Sequence, residues 1–91
     1  MVITGRVQGV GFRHFIWRRA QQLGVSGDVC NLPGGAVEVR ASGPVQALDQ
    51  LLAFARHGPD SAQVSDVQIE LQGGGEYPAG FRIREGYLPA P

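Results

Sequence analysis

"VSGDVCNLPGGAVEVRA", residues 25–41, carries the pattern on which the fold turns. Val25, Gly27 and Val29 alternate with Ser26, Asp28 and Cys30, the period-2 rhythm of a half-buried strand. Val37, Val39 and Ala41 alternate in the same way with Glu38, Arg40 and Ser42, and NLPGG between the two runs is a Pro/Gly turn. Two such strands around a short turn predict a β-hairpin.

A helix is expected on each side of this hairpin. Before it, Phe12, Phe15, Ile16, Ala20 and Leu23 fall on one helical stripe that Gly24 terminates. After it, SGPVQALDQLLAFARHG places Pro44 at the first helical position and Val45, Leu48, Leu52 and Ala55 on one stripe. Gly58 is the stop, and Arg56 and His57 sit in the last turn, where cations suit the helix dipole. MVITGRV at the start reads as a short strand. Val67, Ile69 and Leu71, alternating with Gln68 and Glu70, read as another, and FRIRE after GGGEYPAG as a brief extra one. The order βαββαβ plus a short extra strand predicts an α+β, ferredoxin-like split-βαβ sandwich: an antiparallel sheet with two helices on one face. That architecture hosts many unrelated functions, so activity must be read from particular residues.

Ninety-one residues make one small domain, expected to span 1–91. With 43% hydrophobic and 18% charged residues the chain carries no signature of disorder. Its formal net charge is zero, which argues against a nucleic-acid surface. Every basic residue is an arginine, however, and residues 1–27 hold Arg6, Arg13, Arg18 and Arg19 without a single acid. That local surplus can attract a small anion. Cys30 is the only cysteine, so an intrachain disulfide is impossible and a cytoplasmic setting is expected. No apolar run approaches the ~20 residues of a membrane span, and no membrane partner is expected.

The anion has an obvious destination. In RVQGVGFRHF, residues 6–15, two glycines and an arginine stand at a helix start, where the dipole disfavours a cation by up to ~1 kcal/mol. Gly9 and Gly11 permit the positive φ angles that turn successive amides toward one point. The helix N-terminus offers free N–H groups, and Arg13 adds a forked donor for two oxyanion oxygens. The same spacing also fits a plain strand-to-helix turn with Arg13 solvated, and the residues alone leave both readings open. Two nucleotide loops are excluded: the third glycine of G-x-G-x-x-G is missing, and there is no G-x-x-x-x-G-K-[ST].

GRVQGVGFR (5–13), followed by HFIWRRAQQLGVSGDV and NLPGGAVEV, closely resembles the acylphosphatase family over nearly the whole chain. The resemblance implies a small ferredoxin-like enzyme that hydrolyses the carboxyl-phosphate bond of acyl phosphates without metal or cofactor. It implies a phosphate-cradling loop at Gln8, Gly9, Val10, Gly11 and Phe12, a phosphate-binding Arg13 and a water-orienting Asn31, with Arg13 and Asn31 the catalytic pair. Inorganic phosphate or sulfate would then compete with substrate, and a monomer is expected. The chain departs from the family in one place close to this set, where GDVCN (27–31) stands for the usual GWVRN, bringing Asp28 and Cys30 beside the site. It also has only four residues before Gly5, so limited pairing is expected for the first strand.

The chemistry asks little of such a site. The carboxylate leaving group has a conjugate acid with a pKa of about 4 and departs at neutral pH without a proton. A loose, charge-spread transition state leaves positioning and electrostatic stabilisation as the protein's task. An asparagine amide offers a donor and an acceptor to hold water, though it cannot act as a base; by analogy with the family, a phosphate oxygen of the substrate takes the proton. His14 suits an exposed helix position, His57 a C-terminal cation, Trp17 a partly buried flank, and Arg18 and Arg19 solvated positions. Two rival readings are an RNA-binding module of the same strand order, which needs stacked aromatics where this hairpin offers Asp28, Cys30, Glu38 and Arg40, and an accessory domain like that of hydrogenase-maturation carbamoyltransferases. A free-standing enzyme is expected because the chain ends at Pro91.

Overall fold

The computed structural model describes residues 1–71 and 77–84. The triple glycine at 73–75 and the last residue of FRIRE lie outside them. The elements are β1 (Val2–Arg6), α1 (Phe12–Leu23), β2 (Ser26–Asn31), β3 (Val37–Ser42), α2 (Val45–His57), β4 (Gln63–Gln68) and β5 (Phe81–Ile83), the βαββαβ order with a short extra strand.

The sheet runs β4-β1-β3-β2-β5. The hairpin is antiparallel from Ser26↔Ser42 to Asn31↔Val37, and β1 is antiparallel to both β3 and β4. The fifth strand differs from the antiparallel expectation: β5 runs parallel to β2, from Gly27↔Phe81 to Val29↔Ile83, so the sheet is mixed. The chain leaves β4 at one edge, crosses to the other, and arrives there running with β2. Pairing of β1 with β3 covers Val2↔Glu38 and Ile3↔Val37, ending where β3 begins. Against β4 it extends from Val2 to Arg6, with an irregularity between Thr4 and Gly5.

Three local expectations shift. The strand expected around Val67, Ile69 and Leu71 ends at Gln68, opposite Val2, where its partner strand runs out. Val67 is buried while Ile69 and Leu71 stand 48% and 92% exposed. Pro44 is the N-cap of α2 rather than its first helical residue; its backbone is extended (ψ 144°) and its carbonyl accepts the Leu48 N–H at 3.0 Å. Proline's fixed φ suits that cap conformation as well as it suits a helix. The packed face of α2 is Leu48, Leu51, Leu52 and Ala55, an i, i+3, i+4, i+7 set, while Val45 in the first turn is 73% exposed.

Phe12, Ile16 and Ala20 of α1 are buried, as their spacing predicts. The two helices pack on each other, α1 over β2 and β5, α2 over β4. Their apolar faces join Ile3, Val29, Val37 and Val39 of the sheet in one core; each such side chain contributes roughly 1.5–3 kcal/mol on burial. Because strand side chains alternate between faces, burying Val29, Val37 and Val39 under the helices sends Asp28, Cys30, Glu38 and Arg40 to the opposite face. There they meet as cross-strand pairs, Asp28↔Arg40 and Cys30↔Glu38.

Candidate active site

The loop from β1 into α1 is shaped by its glycines. Gly9 and Gly11 have φ of 75° and 79°, a region costly for any other residue. A Cβ at either would meet nothing within 4 Å, so backbone conformation rather than crowding demands glycine there. Gly11 caps α1, with no side-chain cap and no acid in the first turn. Its carbonyl accepts the first helical bond, from Phe15 N at 3.0 Å, which leaves the amides of residues 12–14 without an acceptor in the helix.

Two ties fix this loop. The Gln8 Nε2 donates to the carbonyls of Leu32 (2.8 Å) and Ala36 (2.9 Å) in the hairpin turn, and the Ser61 hydroxyl donates to Val10 O at 3.2 Å. The Gln8 side chain is therefore committed to joining the loop to the turn that follows Asn31.

A cavity of about 210 Å³ opens between these parts, lined by Val7, Gly9, Gly11, Phe12, Arg13, His14, Asn31 and Ile83. It brings together Gly9, Gly11, Phe12, Arg13 and Asn31; Gln8 and Val10 do not line it. The Phe12 ring is buried in the core, 1% exposed. Arg13 is half-buried, and its Nη1 donates to the backbone carbonyl of Arg84 at 3.2 Å. Among the described residues no carboxylate pairs with Arg13. Asn31, the last residue of β2, is half-buried, and among the described residues its side-chain amide makes no hydrogen bond.

The charge of Asp28 is engaged elsewhere. Arg40 grips its carboxylate with two bonds, Nε to Oδ1 at 3.1 Å and Nη2 to Oδ2 at 2.9 Å, and this contact holds Arg40 more firmly protonated than usual. Arg84 Nε lies 3.2 Å from Asp28 Oδ1. Arg84 Nη2 reaches Cys30 Sγ at 3.0 Å and Glu38 Oε1 at 3.4 Å. Burial pushes the Cys30 thiol up despite the nearby Arg84 guanidinium. The hairpin thus shows ion pairs where an RNA-binding sheet would show stacked aromatics.

Other residues mostly fall where their spacing suggests. His14 is exposed, its ring 5.4 Å from that of Trp17; Trp17 is half-buried and donates Nε1–H to Phe81 O at 3.1 Å. His57 and Arg18 are exposed. Arg19 is not simply solvated: its guanidinium lies 4.5 Å from the Phe54 ring centroid and donates to Gln22, an arrangement worth ~0.5–1 kcal/mol. Sequence reasoning missed Arg84 and Ile83, because nothing in a three-residue strand signals which edge it joins.

The acylphosphatase family model matches residues 1–83, a span that contains the glycine loop, Arg13 and Asn31. The chain belongs to the acylphosphatase family. It is thereby a hydrolase. It is 45% identical over 82 residues to the acylphosphatase of Salinibacter ruber, a match covering 90% of this chain and 86% of that one. It superposes on the crystal structure of acylphosphatase from Bacillus subtilis with a TM-score of 0.88 at 34% identity, covering 91% of this chain and 92% of the other. An acylphosphatase from Coxiella burnetii matches with a TM-score of 0.85 at 36% identity, over 91% and 86%. Among the described residues no helix is long and apolar enough to cross a membrane.

Proposed function

We propose that this chain hydrolyses acyl phosphates to a carboxylate and inorganic phosphate, with Arg13 and the loop amides binding the phosphoryl group and Asn31 orienting the attacking water. What supports this reading is the single cavity that Arg13, Gly9, Gly11 and Asn31 line together. Arg13 enters it from the first turn of a helix and Asn31 from the end of a strand, so cation and amide approach one space from two rigid elements.

The steps follow from that arrangement. Arg13 keeps donors beyond the one given to Arg84 O, and a forked guanidinium meets two phosphoryl oxygens at once. The amides at the helix start, with the positive end of the dipole, take up charge as the transition state spreads it. The Asn31 amide accepts from and donates around one water, placing its oxygen in line with phosphorus. The water oxygen bonds to phosphorus while the bond from phosphorus to the acyl oxygen breaks, and the electron pair leaves with the carboxylate. The water's proton passes to a phosphate oxygen, so no protein base is consumed. No step calls for a metal or cofactor.

Asn31→Ala tests the assignment. It is expected to lower kcat on benzoyl phosphate by about two orders of magnitude, while inhibition by inorganic phosphate and the circular dichroism spectrum stay as in the parent. A folded Asn31→Ala enzyme with near-normal kcat removes Asn31 from the chemistry. Turnover of benzoyl, acetyl and carbamoyl phosphate side by side ranks the acyl groups this cavity takes.

A further inference from the structure

Arg84 touches both faces of the sheet at once. Its backbone N–H donates to Val29 O at 2.8 Å, extending the ladder of β5 with β2 by one residue. Its carbonyl, on the helix side, accepts from Arg13 Nη1 at 3.2 Å. Its guanidinium lies on the other side, 3.2 Å from Asp28 Oδ1 and 3.4 Å from Glu38 Oε1. The Arg84 Nε is buried and, though at ion-pair distance from Asp28, is not aligned with it as a hydrogen bond. A buried guanidinium nitrogen can rest there only because two carboxylates neutralise it.

The strand that leads to this residue has its firmest ties at its start, where Phe81 is buried in the core and its carbonyl accepts from Trp17 Nε1. Among the described residues β5 has three residues and one neighbour, at the edge of the sheet. Three ladder positions constrain it along its length, and short edge strands fray easily. The side-chain contacts of Arg84 add a second fixation at the residue whose carbonyl holds Arg13. Asp28 belongs to the same device: its charge is shared between Arg40 and Arg84.

We propose that Arg84 is a positioning residue: pinned by Asp28 and Glu38 on the open face, it fixes the carbonyl that aims Arg13 into the anion-binding cavity. Arg84 does not touch substrate, and its effect passes through Arg13. This inference rests on the assignment of Arg13 to phosphate binding made above.

The test reads inhibition by inorganic phosphate in Arg84→Met, Arg13→Ala and the double variant, with thermal melts alongside. Arg84→Met keeps an apolar stem of similar length and removes the cation. It is expected to weaken phosphate inhibition about three- to tenfold, the effect of one misplaced hydrogen bond, and to have no further effect in the Arg13→Ala background. Unchanged inhibition in Arg84→Met, or the same loss in both backgrounds, overturns the proposal, since a purely structural role does not depend on Arg13. If Arg84→Met loses its fold, Arg84→Gln, neutral but able to hydrogen-bond Asp28, takes its place: a loss confined to the Arg13 background supports the proposal, and any other pattern overturns it. Should Arg13→Ala alone leave phosphate inhibition intact, the assignment of Arg13 fails first, and this inference with it.

Discussion

Arg13 and Arg84 share one hydrogen bond, yet the two faces of the sheet treat their charges in opposite ways. On the helix side, a cavity collects Arg13, the start of α1 and the Asn31 amide, with no carboxylate among the described residues to answer them. On the open side, Arg40 and Arg84 face Asp28 and Glu38 at 2.9–3.4 Å. A net charge of zero conceals this division. Donors left over at a half-buried position mark where a ligand is to supply the acceptors, whereas donors already matched with carboxylates hold strands in register.

The comparison breaks most visibly by removing one arginine from each face. Arg13→Ala is expected to weaken inhibition by inorganic phosphate about ten- to a hundredfold, the loss of a charge-assisted contact of roughly 1.5–3 kcal/mol, and to lower kcat/KM at least as much. Arg40→Ala should leave phosphate inhibition within about twofold and lower stability by about 1 kcal/mol, because its side chain is 43% exposed and solvent screens the pair. Steady-state inhibition and urea unfolding on both variants decide the matter. If Arg40→Ala costs as much phosphate affinity as Arg13→Ala, the open-face ion pairs reach the anion by more than the Arg84 carbonyl.

The same division explains how much could be read in advance. Hairpin, helices and the place of the glycine loop follow from local rules: alternation at Val37 and Val39, the stripe at Phe12, Ile16 and Ala20, and Gly11 before a helix. The parallel direction of β5 does not, since its partner lies more than fifty residues away in sequence and a three-residue strand has no pattern of its own. Asn31 was visible only through the family resemblance; as a residue before Leu32 and Pro33 it fits a turn equally well. Asp28 shows the same limit. The sequence places its charge beside the site, and only the cross-strand register shows it facing Arg40 on the other side.

A smaller effect sharpens the helix-side half of the comparison. Gly11 holds φ 79° with open space around a would-be Cβ, so Gly11→Ala introduces strain without a clash. Stability is expected to fall by about 1 kcal/mol. Some of that strain should be relieved by turning the amides that follow, so phosphate inhibition weakens too, by a few-fold. Urea unfolding with and without saturating phosphate separates the contributions: phosphate should stabilise the variant less than the parent. Equal stabilisation of both would mean that the amides beyond Gly11 do not contact the anion.

The smallest effect belongs to the open face and to Cys30. The thiol is 3% exposed, and burial raises its pKa above the ordinary value of 9.0; Glu38 and Asp28 push the same way, while Arg84 and Arg40 oppose them. In the folded chain the thiol therefore keeps its proton at a pH where the unfolded chain has begun to lose it. The unfolded state binds fewer protons in that window, so stability falls as pH rises. The contribution is whole well below the ordinary thiol pKa, where both states are protonated, and is lost as pH climbs through the folded value. Cys30→Ala removes this titration and leaves every other group in place. The difference in unfolding free energy between parent and Cys30→Ala should thus stay constant at neutral pH and shrink as pH rises through the ordinary thiol range and above it. Parallel profiles across that range would mean that the thiol meets no desolvated surroundings, and that the carboxylates and arginines around it leave the open face wetter than its ion pairs suggest.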